Sequence, residues 1–280
     1  MKVADAALHA GGAQRLAVSG VRDGRAFAAD DWVAEERPIA LEYNGVSHAV
    51  MLATPLDLED FALGFSLSEG IVDSARDLHG IDVESAADGS TLRLQIAARC
   101  MAGLKARRRN LAGRTGCGLC GAESLTQVER PLTPLPPGPA VPHDALLRAM
   151  RELQALQALQ HATGSVHAAG WCSAAGEVQL LREDVGRHNA LDKLIGAMSR
   201  TGVPATQGFI AVTSRASFEM VQKTVAARVP LLAAVSAATT LAVDLAQRLQ
   251  LGLAGFVRPQ GVVVYAGAER LSFPETIDGR

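Results

Sequence analysis

Hydrophobic and polar positions change period several times along this chain, and each change predicts an element. "LEYNGVSHAVML" (Leu41–Leu52) is two alternating runs around Asn44-Gly45, the pattern of a hairpin with a two-residue turn. "TPLDLEDFALGFSLSEG" follows as a helix. Thr54 is placed to cap it, Pro55 suits its first turn, and Asp57, Glu59 and Asp60 favour its positive end. Gly70 is placed to stop it. "TLRLQIA" alternates Leu92, Leu94 and Ile96 and predicts a strand.

"DALLRAMRELQALQALQHATG" carries Leu146, Leu147, Met150, Leu153 and Leu156 at helical spacing, with Gly164 as a stop. Two strands are predicted in "SVHAAGWCSAAGEVQLL", and a turn leading into a helix in "REDVGRHNALDKLIGAM". Then "GFIAVTS" (strand), "SFEMVQKTVAARV" (helix), "PLLAAVS" (strand) and "TTLAVDLAQRLQ" (helix) alternate, and "AGFVRPQGVVVYAG" closes with two β runs. This alternation predicts an α/β layered domain after a smaller α+β unit.

The small, weakly patterned residues 1–24 read as a flexible tail, and residues 25–110 as the small α+β domain. "PLTPLPPGPAVP" (Pro131–Pro142) holds six of the twelve prolines, a semi-rigid linker. Residues 111–142 are therefore a connecting segment, and 143–280 the larger domain.

Composition narrows the function classes. The 27 Lys and Arg balance 29 Asp and Glu, so net charge gives no reason to expect nucleic acid or an anionic membrane as partner. The longest uncharged apolar run, Val229–Val243, is shorter than the ~18–20 residues of a membrane span, and Asp244 and Arg248 close it. The N-terminus has no apolar run like that of a signal peptide. The expectation is a cytoplasmic protein whose four cysteines, Cys100, Cys117, Cys120 and Cys172, stay reduced unless their chemistry is in use.

Cys117 and Cys120 form a C-x-x-C pair in "GRTGCGLCGAESL". Structural zinc needs four ligands, usually as two such hooks, and the chain has one, so no metal is expected. A thioredoxin-type dithiol follows a strand and opens a helix in a βαβ unit, whereas a basic, glycine-containing loop is expected here. The third possibility is a sulfur-carrying thiolate. From Leu94 to Ala122 the chain has Arg99, Lys105, Arg107, Arg108, Arg109 and Arg114 and no acid, and such charge favours thiolate. Glycines 113, 116, 118 and 121 leave the sulfur accessible. Composition and spacing do not separate sulfur transfer from disulfide exchange.

Three further places carry polar density. "REDVGRHNALDKLIG" puts Glu183, Asp184, Arg187, His188, Asn189, Asp192 and Lys193 at a helix start, where anions bind. Spacing alone favours a capped helix with an exposed charged face, with His188 as an acid/base candidate. His167 falls near a strand end, where sites collect in α/β folds. "TSRASFEM" sets Ser214, Arg215 and Ser217 at a strand–turn–helix junction. It suits a phosphate, although it is no P-loop, and Ser217 is equally placed as a simple N-cap.

Taken together, "TPLDLEDFALGFSLSEG", "TGCGLCGAESL", "REDVGRHNALDKLIG", "TSRASFEMVQK" and "GFVRPQGVVVY" resemble the FdhD family of sulfur carriers over residues 36 to 267. The resemblance implies a sulfurtransferase that takes persulfide sulfur from a cysteine desulfurase. It passes that sulfur to the molybdenum cofactor, bis-molybdopterin guanine dinucleotide, on behalf of formate dehydrogenase. Cys117 corresponds to the persulfide cysteine, with Cys120 its companion. Phe256, Val257, Arg258, Pro259, Gln260 and Gly261 correspond to the cofactor-binding segment. The resemblance further implies a homodimer and a cytidine-deaminase-like C-terminal domain, and GDP is expected to mimic the cofactor. One departure is Gly261, where relatives often carry a second basic residue. Deamination itself is not expected, because "HAA" at His167–Ala169 lacks the Glu of H-x-E. The rival readings are a thiol–disulfide oxidoreductase and a non-catalytic cofactor-binding chaperone.

Overall fold

A computed structural model describes residues 11–109, 130–138 and 140–274, with backbone alone at 105–109. Cys117 and Cys120 lie outside the described residues. No helix among the described residues is long and apolar enough to cross a membrane.

The first strands among the described residues are β1 (Ala13–Arg22) and β2 (Arg25–Ala34), a two-stranded antiparallel ribbon. Asp23 and Gly24 turn it at φ 51 and 74, the left-handed pair a two-residue turn requires. Residues 13–22 are therefore strand rather than tail. The signal was present as Asp-Gly between alternating runs, but the small side chains around it masked the alternation.

β3 (Arg37–Tyr43) and β4 (Val46–Ala53) form the hairpin expected at Asn44-Gly45. Next come α1 (Leu58–Ser68), β5 (Leu78–Ala86), β6 (Gly89–Ile96) and α2 (Ala98–Arg109). Their sheet has the order β4-β3-β6-β5. Ile39, Leu41, Leu92 and Leu94 alternate inward from it and bury Phe61 and Phe65 of α1. The basic stretch expected as loop is helical as far as Arg109. Thr54 does not cap α1. Asp57 holds the N-cap position at φ 53, and Thr54 is buried against the second domain.

Residues 131–138 run without helix or strand to β7 (Val141–Pro142). The proline segment lies on the large domain rather than free of it. Leu135 is buried and its N–H donates to Leu249 O, while Arg270 Nη2 donates to Pro136 O at 2.8 Å.

α3 (His143–Leu156) and α4 (Ala158–Thr163) divide the single helix expected there, because Gln157 breaks it at φ −72, ψ 82. β8 (His167–Ser173), β9 (Val178–Asp184), α5 (Arg187–Thr201), β10 (Gly208–Val212), α6 (Phe218–Ala226), β11 (Leu231–Ala234) and α7 (Thr240–Arg248) follow. β12 (Gly252–Arg258), β13 (Gly261–Ala266) and β14 (Leu271–Ser272) complete the described chain. The six-stranded order is β13-β12-β11-β10-β8-β9, with β10, β11 and β12 parallel. Being covered on both faces, β10 and β11 are apolar at every position. α5, α6 and α7 cover one face and α3 the other, which is the layered α/β architecture expected.

Candidate functional site

In an open α/β sheet, loops at the carboxyl ends of parallel strands converge, and ligands bind there. β9 through β12 end at one edge, where β8 and β13 begin. Hydrogen bonds stitch this edge into a row. Ala168 N donates to Thr213 Oγ1 at 2.9 Å, and Val235 N to Val212 O at 3.1 Å. Ala216 N donates to Ala237 O, Thr239 N to Ala216 O, and Phe256 N to Ser236 O. The structure thus brings the "TSRAS" and "FVRPQG" loops, far apart in sequence, to the same edge.

α5, α6 and α7 all start there, behind Gly186, Ser217 and Thr239, and none has a side-chain cap. Ser217 occupies the N-cap position, but its buried hydroxyl has no partner among the described residues. Three uncapped helix starts turn amide N–H groups and positive dipole ends toward one edge, which suits an anion. Arg215 is exposed beside them.

Phe256 carries φ 47, a left-handed angle on a non-glycine residue inside a strand, at a bulge between Gly255 and Arg258. Such strain costs about 1–3 kcal/mol and gathers at sites. It holds the Phe256 ring 39 % exposed with the Arg258 guanidinium over it at 5.5 Å. Arg258 Nε donates to Val235 O at 3.0 Å, which fixes the guanidinium at the edge. Pro259 and Gln260 form the exposed turn. Val257 is wholly buried, so of the six candidate residues here its side chain belongs to the core. Gly261 has φ 154 and open space around it. A side chain there would be strained by the backbone angle and not by crowding.

His167 is half-buried at the same edge, facing a cavity of about 610 Å³ lined also by Gln157, Ser165, Thr213 and Val235. Burial, with Arg187 and His188 nearby, holds its imidazole below the usual histidine range. His188 Nε2 of α5 stands 2.7 Å from Glu219 Oε2 of α6. That contact, aided by Lys223 and Arg187, outweighs burial and lowers the Glu219 carboxyl.

The charged stretch after β9 is not the exposed face that spacing favoured. Asp184, Asn189, Asp192 and Lys193 are buried because α1 of the first domain covers them. Asp184 and Lys193 pair at 2.7 Å with both side chains 0 % exposed. Thr54 completes that pair: its N–H donates to Asp184 and its carbonyl accepts from Lys193. Ser68 Oγ donates to Asp192 at 2.5 Å, and Lys223 Nζ reaches Asp192 at 3.0 Å and Glu69 at 2.7 Å. Burial opposes charge on Lys223, but Asp192 and Glu69 overcome it and hold the ammonium above its ordinary range. The helices meet backbone to backbone. A Cβ on Gly64 would stand 1.7 Å from Asp192 O, and one on Gly196 1.9 Å from Asp60 O.

Arg130, the first described residue after the cysteine segment, is fastened to this seam. Its N–H donates to Gln222 Oε1 at 2.9 Å, and its guanidinium to the carbonyls of Leu67 and Ser68. Of the other cysteines, Cys100 and Cys172 are buried as free thiols, and burial raises Cys172 far from reactivity. Sequence reasoning passed over Gly64, Gly196 and Lys223. A glycine inside a helical pattern was the available signal for the first two. Lys223 read as an ordinary polar position.

The FdhD/NarQ family model matches residues 34–272. The chain is 61% identical over 272 residues to the sulfur carrier protein FdhD of Variovorax paradoxus strain S110, covering 97% of this chain and 98% of the relative. It is 53% identical over 248 residues to the protein of the same name from Bordetella bronchiseptica, covering 89% and 90%. A crystal structure from Desulfotalea psychrophila, named for a formate dehydrogenase accessory role, superposes with a TM-score of 0.71 at 23% identity. It covers 93% of this chain and 99% of that one, a likeness of fold.

Proposed function

This chain belongs to the FdhD/NarQ family, and from that premise we propose that it is a sulfur carrier and sulfurtransferase that loads persulfide sulfur on Cys117. The observation that carries the reading is the near end-to-end identity with a sulfur carrier, in a chain with a single glycine-flanked C-x-x-C. The donor is a cysteine desulfurase. The Cys117 thiolate attacks the outer sulfur of the donor's persulfide, the donor S–S bond breaks, and the donor cysteine leaves as thiolate. The acceptor is the molybdenum cofactor in its bis-molybdopterin guanine dinucleotide form, a substrate here, destined for formate dehydrogenase. Cys120 assists release. Its thiolate attacks the Cys117 sulfur, expels hydrosulfide and leaves a Cys117–Cys120 disulfide.

The carboxyl edge supports the acceptor half of this reading. A guanine dinucleotide brings phosphates, and Arg215, Arg258 and the starts of α6 and α7 offer positive partners along one row. Phe256 offers an aromatic face beside Arg258. With Gly261 in place of a basic residue, Arg258 is the cation this hairpin brings to the phosphates.

Two measurements test the halves separately. After incubation with a cysteine desulfurase and L-cysteine, the intact mass of the wild-type chain should rise by one sulfur atom, and that of Cys117→Ala should not. Equal loading of both, or none on wild type, would sink the carrier reading. Calorimetry with GDP should show binding that Arg258→Ala weakens about tenfold or more, the worth of a charge-assisted hydrogen bond. Unchanged binding would remove the hairpin from the cofactor site.

A further inference from the structure

The end of α2 concentrates positive charge that the helix itself does not offset. Cys100, Met101 and Leu104 are buried in the core of the small domain, while Ala98 and Ala102 are exposed. The helical backbone continues to Arg109. At 3.6 residues per turn, positions 105 and 109 extend the exposed stripe of Ala98 and Ala102. Those positions are Lys105 and Arg109, with Arg107 and Arg108 between them.

Charge at the helix start is met locally. Arg99 Nη2 lies 2.5 Å from Asp77 Oδ1, and the Asp73 carboxylate stands beside Asp77. The last turn has no such provision in sequence: α2 contains no acid, and none occurs from Leu94 to Ala122. Lys105 and Arg109, four apart, therefore lack an i,i+4 partner of opposite sign and repel each other. The helix dipole favours a cation in a last turn, but weakly. Four cations in five residues exceed that use.

The cofactor row does not account for them either. Its cations, Arg215 and Arg258, and the starts of α6 and α7 belong to the large domain, whereas α2 packs on the small sheet. Nucleic acid fits poorly, because the chain outside this stretch is net acidic. Position along the chain favours a protein. Cys117 follows Arg109 by eight residues, a span of at most ~29 Å. A protein held at the end of α2 has surface within reach of that thiol.

We propose that the last turn of α2, through Lys105 and Arg109, docks an acidic surface of the protein that supplies persulfide sulfur. The inference rests on the carrier reading above and names where its donor binds. Opposite charge across an interface speeds encounter and sets orientation more than it adds affinity. Cations just ahead of Cys117 in the chain steer the donor to the segment its sulfur must reach.

The initial rate of sulfur loading from the host's cysteine desulfurase and L-cysteine is read by intact mass. Lys105→Glu/Arg109→Glu should slow it roughly tenfold or more at about 0.1 M salt. Lys105→Gln/Arg109→Gln, neutral and equally helix-compatible, should fall between. Raising salt to about 1 M shortens the screening length from ~10 Å to ~3 Å and should bring the wild type towards the variants. Arg22→Glu/Arg25→Glu makes the same change in net charge on the exposed ribbon and should leave the rate unchanged. Cysteine hydropersulfide needs no docking and should load all four chains equally. Calorimetry with the desulfurase should rank the affinities in the same order, whether or not sulfur then moves. A wild-type chain that loads from neither donor refutes the carrier reading, and the calorimetry still decides the docking. Equal rates and affinities in the wild type and the double Glu variant overturn the proposal. So does a double Glu variant slowed equally with both donors, since the cations then act on Cys117 ionisation. A ribbon variant slowed as much as the helix variant overturns it too.

Discussion

Replacing Gly64 by alanine sets two ordinary effects against each other. In a helix interior, alanine is favoured over glycine by about 0.8–1 kcal/mol, so the simple rule predicts stabilisation. The structure reverses the sign. The new Cβ would stand 1.7 Å from the Asp192 carbonyl oxygen, and side-chain carbons essentially never approach inside 3.0 Å. The neighbour is backbone, so α1 and α5 must separate by about 1.3 Å. Ser68 to Asp192 is 2.5 Å and Lys193 to Thr54 O is 2.8 Å across the same seam, and that separation takes both beyond hydrogen-bonding length. Each buried group left unmade costs about 1–3 kcal/mol. Two of them outweigh the helix gain, for a net loss of about 1–5 kcal/mol. Gly103 is the control: it lies in α2 with nothing within 4 Å of its would-be Cβ. In urea unfolding, Gly103→Ala should shift the midpoint up and Gly64→Ala down. Equal upward shifts would refute the claim that the helices touch through their backbones.

Lys193→Met leaves Asp184 buried without its cation and should cost about 3–5 kcal/mol. Arg93→Met, which removes a half-exposed surface pair with Glu84, should cost under about 1 kcal/mol by the same unfolding assay. Equal losses would mean the buried pair is solvated. Because the folded-state Glu219 carboxyl is lowered, chiefly by His188, it lends stability above the ordinary carboxylate range that fades as pH falls through that range. Glu219→Gln should therefore lose stability at pH 7 and show a shallower decline between about pH 5 and 3. A wild-type acid limb in the variant would disprove the linkage.

Much of the fold was legible because it rests on local chemistry. Asn44-Gly45 specified its hairpin through the left-handed angles that turn needs, and the alternation from Gly208 onward specified a layered sheet. What the sequence concealed depends on contacts between distant segments. Asp184, Asp192 and Lys193 look like a solvated face until another domain lies on them, since hydropathy records a residue's cost in isolation and not its partner. Thr54 fits a cap by type, but its backbone serves Asp184 and Lys193 instead. The candidate site was half legible. Motif order placed Arg258 and the "TSRAS" loop, whereas their convergence, the strain at Phe256 and the burial of Val257 follow from strand order and register.

The seam between the two sheets also decides how the molecule can be taken apart. Severing the chain at the proline segment would give one half carrying Asp60 and Ser68 without partners and another carrying Asp184, Asp192, Lys193 and Lys223 facing water. The first half loses Arg182 and Arg200, the partners of Asp60, and the second keeps Asp184–Lys193 and Asp192–Lys223 but loses the Thr54, Ser68 and Glu69 groups that complete them, so the two sheets should melt as a single cooperative unit rather than as modules. The cysteine segment, running from α2 in one layer to Arg130 on the seam, is thus tethered at both ends to one mechanically continuous body.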